Sequence, residues 1–354
     1  MAEPGILTKA EILSQPEAWS AALSVLREQR QAILNLEPAD RFGQILYTGC
    51  GSTYYLSLAA AALTQEMTGF SCRALPASEL WLYPKSSYTS GNGSPSLKRT
   101  LLVAVSRSGE TTETLQACEA FLDDRRGELI TLSCYEDMPL AKMGVLNLVF
   151  PSGQEQSVAQ TRAFSTLYLG TVALAVLWGD RRHLFDKLVC LPEAGMRLLN
   201  NYASLAADLG GDTSLDRFYW LGSGPRHGLA CELSLKMKEM SLSHSEPFHF
   251  MEFRHGPKSM VAPSSLVIGL RSILIGSHES RVLEDVKTAG SRVVDIAESG
   301  ADVRFESGVE EAIQNVLYLP FGQLVAFERA LLKGLNPDRP RNLDSVVKLF
   351  EEEE

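Results

Sequence analysis

The sequence lacks paired metal-type cysteines. Its six cysteines (Cys50, Cys72, Cys118, Cys134, Cys190, Cys231) are scattered with no CxxC spacing. That pattern argues against both a disulfide framework and a zinc site, and for reduced thiols in a cytoplasmic protein. Basic charge is also short: 33 Lys and Arg stand against 43 Asp and Glu, a net charge of -10. Nucleic-acid binders rely on cationic surface to displace counterions, so that class is excluded as a partner. No apolar run reaches the length of a membrane span. The longest, Ala163 to Trp178, is interrupted by Ser, Thr and Gly, and the opening MAEPGILTKAEIL has no signal-type apolar block. No membrane contact is expected. No GKS or GKT follows a glycine-rich loop, no HExxH occurs, and the turn Gly49-Cys50-Gly51-Ser52-Thr53 has no third glycine near Tyr54. Neither a metal nor a nucleotide cofactor is therefore expected.

What is present is a chain of 354 residues, 45% hydrophobic and 21% charged, long enough for two ordinary cores. Its first forty residues read as helix, with Thr8-x-x-Glu11 as a capping box. Short apolar runs then alternate with helical stretches. Strands are expected at Ile45–Tyr47, Thr100–Ser106, Leu129–Ser133 and Asn147–Phe150, with helices at Leu56–Met67, Thr112–Asp123 and Thr161–Trp178. After a charged helical stretch the alternation restarts. Strands are expected at Phe218–Leu221, Leu266–Leu270, Arg292–Ile296 and Val316–Leu319, with helices from Arg226 and over Phe321–Leu332 and Gly334 as the C-cap. Such alternation predicts an α/β fold of two doubly wound domains, each a parallel sheet flanked by helices. The segments are 1–40, helical; 41–180, first domain; 181–210, helical connector; 211–335, second domain; and 336–354, a tail with a solvated acidic end at Glu351–Glu354. Both halves open with a strand, a Gly-x-Gly turn and a helix (Gly49-Cys50-Gly51 and Gly222-Ser223-Gly224), which suggests a duplication. Ligands of such sheets bind beyond the carboxyl ends of the strands, so those loops are where chemistry is sought.

The richest loop is Ser106-Arg107-Ser108-Gly109-Glu110-Thr111-Thr112, directly after a strand and directly before a helix. Backbone N–H groups and the macrodipole at a helix start favour an anion, and Ser106, Ser108 and Thr111 add hydroxyl donors. Two readings stand: a phosphate cradle, or an ordinary Ser/Thr-capped helix. Ser52 and Thr53, on the other glycine turn, are candidate contacts for sugar hydroxyls or phosphate. Lys236 and Glu239 are three apart and share a helix face. They form either a surface ion pair or a carboxylate base beside an ammonium group, as proton transfer between adjacent carbons requires. Of His244, His249 and His255, only His255 is fixed by a following Gly-Pro.

Taken in order, several segments are similar to one family: Glu11-Ile12-x-x-Gln15-Pro16, Cys50-Gly51-Ser52-Thr53-Tyr54, Ser106 to Thr111, and Val158-Ala159-Gln160-Thr161-Arg162-Ala163-Phe164. Leu235-Lys236-Met237-Lys238-Glu239, Glu252-Phe253-Arg254-His255-Gly256-Pro257 and Asp338-Arg339-Pro340-Arg341-Asn342-Leu343 continue the series. The chain resembles the sugar isomerase (SIS) domain proteins, among them the isomerase half of glucosamine-6-phosphate synthase. The resemblance implies tandem SIS domains acting on a hexose-6-phosphate or hexosamine-6-phosphate. Ser106, Ser108 and Thr111 would form the phosphate cradle with Thr53 beside it, and Val158 and Ala159 would supply backbone to the sugar hydroxyls. It further implies Glu239 as the base between C1 and C2, Lys236 beside it, and His255 assisting ring opening from the neighbouring subunit of a homodimer with a composite active site. Three departures shape the expectation. No cysteine-initiated glutaminase domain precedes residue 40, so glutamine-dependent amide transfer is not expected. Ser345 stands where the synthase has its Schiff-base lysine, with Lys348 three residues later. Arg107 replaces a glutamine, adding a guanidinium to the phosphate loop or a handle for a second anionic group. The implied activities are a sugar-phosphate isomerase, an amino-sugar-6-phosphate deaminase or a fructosamine-6-phosphate deglycase. The alternative is a non-catalytic sugar-phosphate sensor.

Overall fold

Ten strands, among the residues described, include the Val-, Ile- and Leu-rich runs of the sequence. They are β1 (Phe42–Gly49), β2 (Cys72–Pro76), β3 (Arg99–Val105), β4 (Gly127–Ser133), β5 (Leu146–Val149), β6 (Arg217–Gly222), β7 (His244–Phe248), β8 (Ser265–Leu270), β9 (Arg292–Ala297) and β10 (Val303–Arg304). The structure is a computed structural model and describes residues 3–88 and 99–349. The expected acidic end, Glu351–Glu354, lies outside the described residues.

The strands form two five-stranded sheets, ordered β2-β1-β3-β4-β5 and β10-β9-β8-β6-β7. Every pairing is parallel. Read from the other edge, the second order is the first one repeated: the opening strand sits between its successor and the third strand. Leu101 to Val105 of β3 and Ser265 to Leu270 of β8 are buried throughout, as strands covered on both faces must be. The strand-to-helix turns match as well. Gly51 (φ 55, ψ -120) and Gly224 (φ 57, ψ -135) both take a backbone conformation closed to residues with a Cβ. They launch the helices Ser52–Thr68 and Pro225–Ser241.

Contacts divide the chain into two compact units, and the division cuts across the segments expected from sequence. The unit built on β1–β5 comprises residues 20–154, 166–186 and 344–354; the one built on β6–β10 comprises residues 1–19, 155–165 and 187–343. In the first, Leu46, Leu102, Ala104, Phe121 and Leu129 form the core beneath the helix Thr112–Asp123. In the second, Tyr219, Leu221, Phe250, Val267 and Val282 do so. The helical N-terminus thus belongs to two units. Its early part is recruited to the β6–β10 unit by polar contacts. Thr8 Oγ1 donates to Asp338 Oδ1 (2.8 Å), and Gln15 Nε2 to Gln323 Oε1 (2.9 Å).

Those contacts overturn the capping-box reading of Thr8 and Glu11. The helix Ile6–Leu13 is capped by Gly5 with no side-chain hydrogen bond. Glu11 instead accepts from the backbone N–H of Gln156 (2.6 Å) and Ser157 (3.2 Å) and from the Ser157 hydroxyl. Val316–Leu319 is likewise no strand. It is a 3-10 turn, Asn315–Tyr318, feeding the helix Leu319–Leu332. All four residues are buried, and an apolar run buried all round has no period by which strand and helix differ. Gly334, as expected, closes that helix in the left-handed region (φ 65). Three strands escaped the pattern. β2 and β7 carry Arg73, Pro76, Glu246 and Pro247 at sheet edges, where proline and charge are tolerated, and β10 spans two residues.

Candidate active site

The serine loop follows β3 and opens the helix Thr112–Asp123. Thr111 is that helix's N-cap, yet its side chain makes no capping bond. Its hydroxyl lies 3.4 Å from Ser106 Oγ and 3.4 Å from Ser108 Oγ, so the three hydroxyls cluster at the helix start. The loop is held from within: Gly109 N–H donates to Ser106 Oγ (3.1 Å) and Glu110 N–H to Ser108 Oγ (3.3 Å). Its backbone is tied outward, Cys134 N–H donating to Arg107 O (3.1 Å) and Leu140 N–H to Gly109 O (3.0 Å). Gly109 has φ 73, and a Cβ there would meet Met138 Cβ at 2.9 Å. Only glycine permits this turn. The result is a rigid knot of hydroxyls at a positive helix end, suited to an oxyanion.

The tail of the same unit crosses this loop. Arg107, largely buried, donates from Nη2 to Ser345 O (2.9 Å). Lys348 Nζ lies 3.4 Å from Glu110 Oε2, and Leu349 N–H donates to Thr112 Oγ1 (3.3 Å). Arg107 therefore reaches tail backbone, and Lys348, from its position three residues late, reaches the loop's carboxylate.

In the other unit, the helix Pro225–Ser241 carries a second constellation. Lys236 is wholly buried. Its ammonium pairs with Glu239 Oε2 and, at 3.4 Å, with Glu232 Oε1. Glu232 is wholly buried too, whereas the Glu239 side chain keeps 19% of its exposure. Desolvation alone would lower the lysine's pKa, but the two carboxylates more than offset it and hold it above the usual lysine value. The surface-pair reading of Lys236 and Glu239 fails on burial. Glu232 was missed in the sequence, although the spacing Glu232-x-x-x-Lys236-x-x-Glu239 puts all three on one face.

The remaining candidates are placed as follows. Thr53 is buried and its hydroxyl closes its own turn, donating to Cys50 O and accepting from Cys50 N–H, each at 2.9 Å. Ser52 is buried beside it at the helix start. Val158 N–H donates to Asp338 O (3.1 Å), and Ala159 O accepts from Ser157 Oγ (3.2 Å). The Glu11 carboxylate thus fixes the strip that leads into Val158 and Ala159. His255 is exposed, on the turn after the short helix Phe250–Phe253, with Gly256 at φ 129 behind it. His249 stacks on His227 at 3.7 Å, and burial pushes the His227 imidazole down to about 4. Among the described residues no group of three or more His, Cys, Asp or Glu is placed to hold a metal ion, and no helix is long and apolar enough to cross a membrane.

Residues 41–177 match the SIS domain family. The chain is 29% identical to glutamine–fructose-6-phosphate aminotransferase (isomerizing) of Chlamydia caviae, over 95% of this chain and 57% of that protein. It is 25% identical to the Methanothermobacter thermautotrophicus protein of the same description, over 98% of this chain and 58% of the relative. The chain thus spans a little over half the length of these curated relatives. Among solved structures, glucosamine-6-phosphate deaminase of Thermotoga maritima is 26% identical with a TM-score of 0.77, covering 96% of this chain and all of that one. The tagatose-6-phosphate ketose/aldose isomerase of Escherichia coli shares the fold, with a TM-score of 0.83 at 22% identity over 97% of this chain and 99% of that one. Matching sheets, the hydroxyl-lined loop and these likenesses converge on one similarity: residues 41–177 match the SIS domain family.

Proposed function

We propose that the chain is a tandem pair of doubly wound SIS domains that isomerises or deaminates a hexose- or hexosamine-6-phosphate. The observation that carries this reading is the buried ammonium of Lys236 between two carboxylates. Burying three ionised groups costs several kcal/mol per ion, and well-packed apolar side chains would serve stability as well. A half-open carboxylate beside a fixed ammonium is, by contrast, what proton transfer between neighbouring carbons needs. The serine loop supports the phosphate end of the substrate. The relatives described as acting on fructose-6-phosphate, glucosamine-6-phosphate and tagatose-6-phosphate support its sugar end.

In this proposal Ser106, Ser108 and Thr111 hold the phosphate, and His255 from a second copy of the chain assists ring opening in a homodimer. Glu239 removes the proton from the carbon next to the carbonyl. The resulting enediol takes that proton back on the adjacent carbon, so aldose and ketose interconvert with no net gain or loss of atoms. With an amino sugar the same shift gives a ketimine, which water hydrolyses to ketose phosphate and ammonia.

The test is a panel of hexose- and hexosamine-6-phosphates in deuterated solvent, following ammonia, isomer formation and deuterium at C1 and C2. Ammonia from glucosamine-6-phosphate selects deamination, and isomer without ammonia selects isomerisation. Binding without deuterium uptake from any sugar phosphate removes catalysis and leaves a sensor. Ser108→Ala is expected to raise KM roughly tenfold with kcat unchanged, because a hydrogen bond to the phosphate is present in ground and transition states alike. Steady-state kinetics decide it, and a loss confined to kcat would contradict the cradle.

A further inference from the structure

The two sheets share strand order and opening turn, so the loop after β8 is the counterpart of the serine loop after β3. Its sequence is Arg271-Ser272-Ile273-Leu274-Ile275, leading into the helix Gly276–Thr288. The hydroxyls have given way to aliphatic side chains, yet the loop still gathers donors around one oxyanion. That oxyanion is the carboxylate of Glu311. Its Oε2 accepts from Ile273 N–H (3.0 Å) and Leu274 N–H (3.3 Å). Its Oε1 accepts from Ser272 Oγ (2.6 Å) and from Arg226 Nη1 (2.5 Å). Arg226 and Ser272 are buried, and Arg226 Nε has no hydrogen-bond partner among the described residues. Two backbone amides, a hydroxyl and a guanidinium at a helix start are the donor set of an oxyanion site.

We propose that the loop Ser272–Gly276 is a second, latent oxyanion site, filled by the chain's own Glu311. One duplicated loop is thereby left for a ligand, and the other is a fixed brace joining the helices Pro225–Ser241, Gly276–Thr288 and Glu311–Gln314. The groups facing Glu311 set the chemistry. Arg226 supplies the positive charge, and Glu279, whose Oε2 accepts from Ser272 N–H (2.6 Å) and whose Oε1 lies 3.5 Å from Arg226, limits the net charge that fits. A small carboxylate therefore suits the site better than a dianion. The site is built by this loop and its neighbours alone, whatever the other unit binds.

The probe is sodium formate against sodium chloride at equal ionic strength, read by thermal unfolding of the whole chain. Glu311→Ala is expected to lower Tm by roughly 5–10 °C, since it removes the hydrogen-bonded carboxylate of a buried arginine, leaving it only the longer contact to Glu279, and unpairs further donors. Formate at about 0.1 M should restore at least half of that loss while moving the wild type by no more than about 1 °C. Glu311→Gln, which still fills the space, should show no formate response. An E311A protein as stable as wild type, or one that gains no more from formate than wild type does, overturns the proposal. If E311A is insoluble in chloride, recovery of folded protein in formate supports it and failure in both salts refutes it.

Discussion

Glu239→Gln is expected to lower kcat by about 10²–10⁴-fold, the usual contribution of a positioned general base. KM and the rise in Tm caused by a hexose-6-phosphate should stay within about threefold of wild type, because the proposed mechanism assigns phosphate binding to the serine loop and not to Glu239. Glutamine keeps the shape of the side chain and removes only its ability to take a proton. Solvent deuterium uptake into the sugar should fall in step with turnover. The split matters more than the size: a parallel loss of binding would mean that the side chain serves to hold ligand. A variant within tenfold of wild type takes the residue out of the proton path altogether.

The largest effect on stability is expected at Lys236. Changing it to Met leaves Glu232 wholly buried and Glu239 mostly buried with their shared cation gone. Breaking a buried ion group from one side costs about 3–5 kcal/mol, which urea or thermal unfolding resolves easily. The sign with pH follows from the raised lysine pKa. A group whose folded pKa lies above its unfolded value stabilises fully below the unfolded value of 10.5 and loses that contribution as pH rises through the folded value. The deficit of K236M should therefore be constant over neutral pH and shrink only in strong alkali. Adding Glu232→Leu should recover much of the stability without recovering turnover, since an apolar pair can replace buried ions in packing but not in proton chemistry. Full stability in K236M alone would show that the carboxylates find other partners.

Much of the fold was legible because buried parallel strands announce themselves. β3, β4, β8 and β9 are runs rich in branched aliphatics between turn signals, β6 is an aromatic run, and the helix Thr112–Asp123 falls on its expected bounds. The edge strands β2, β7 and β10 were not legible, since one open side relaxes the pattern that burial imposes, whereas the edge strand β5 kept an apolar run and was. The serine loop could be read for the same reason that it is special: it has more hydroxyls than a cap needs. Lys236 and Glu239 could be named but not weighed, because an ion pair at helical spacing has the same sequence whether it is wet or dry. Burial is a tertiary fact, and with it came Glu232. The bonding of Glu11, which the sequence offered only as half of a capping box, and that of Glu311 were invisible for a related reason. Each bonds backbone donors far along the chain, at Gln156 and Ser157 or at Ile273 and Leu274, and backbone partners leave no mark on the sequence.

The route of the chain has a consequence for how the molecule can be taken apart. Because residues 1–19, 155–165 and 187–343 make up one unit and the stretches between them the other, neither sheet's unit is one uninterrupted piece of polypeptide. A cut near residue 180 would leave residues 1–19 and 155–165, which belong with β6–β10, on the fragment that carries β1–β5. The fragment carrying β6–β10 would then lack the hydrogen bonds that Thr8 makes to Asp338 and Gln15 to Gln323, so a break between the two sheets in sequence is not a break between the two units.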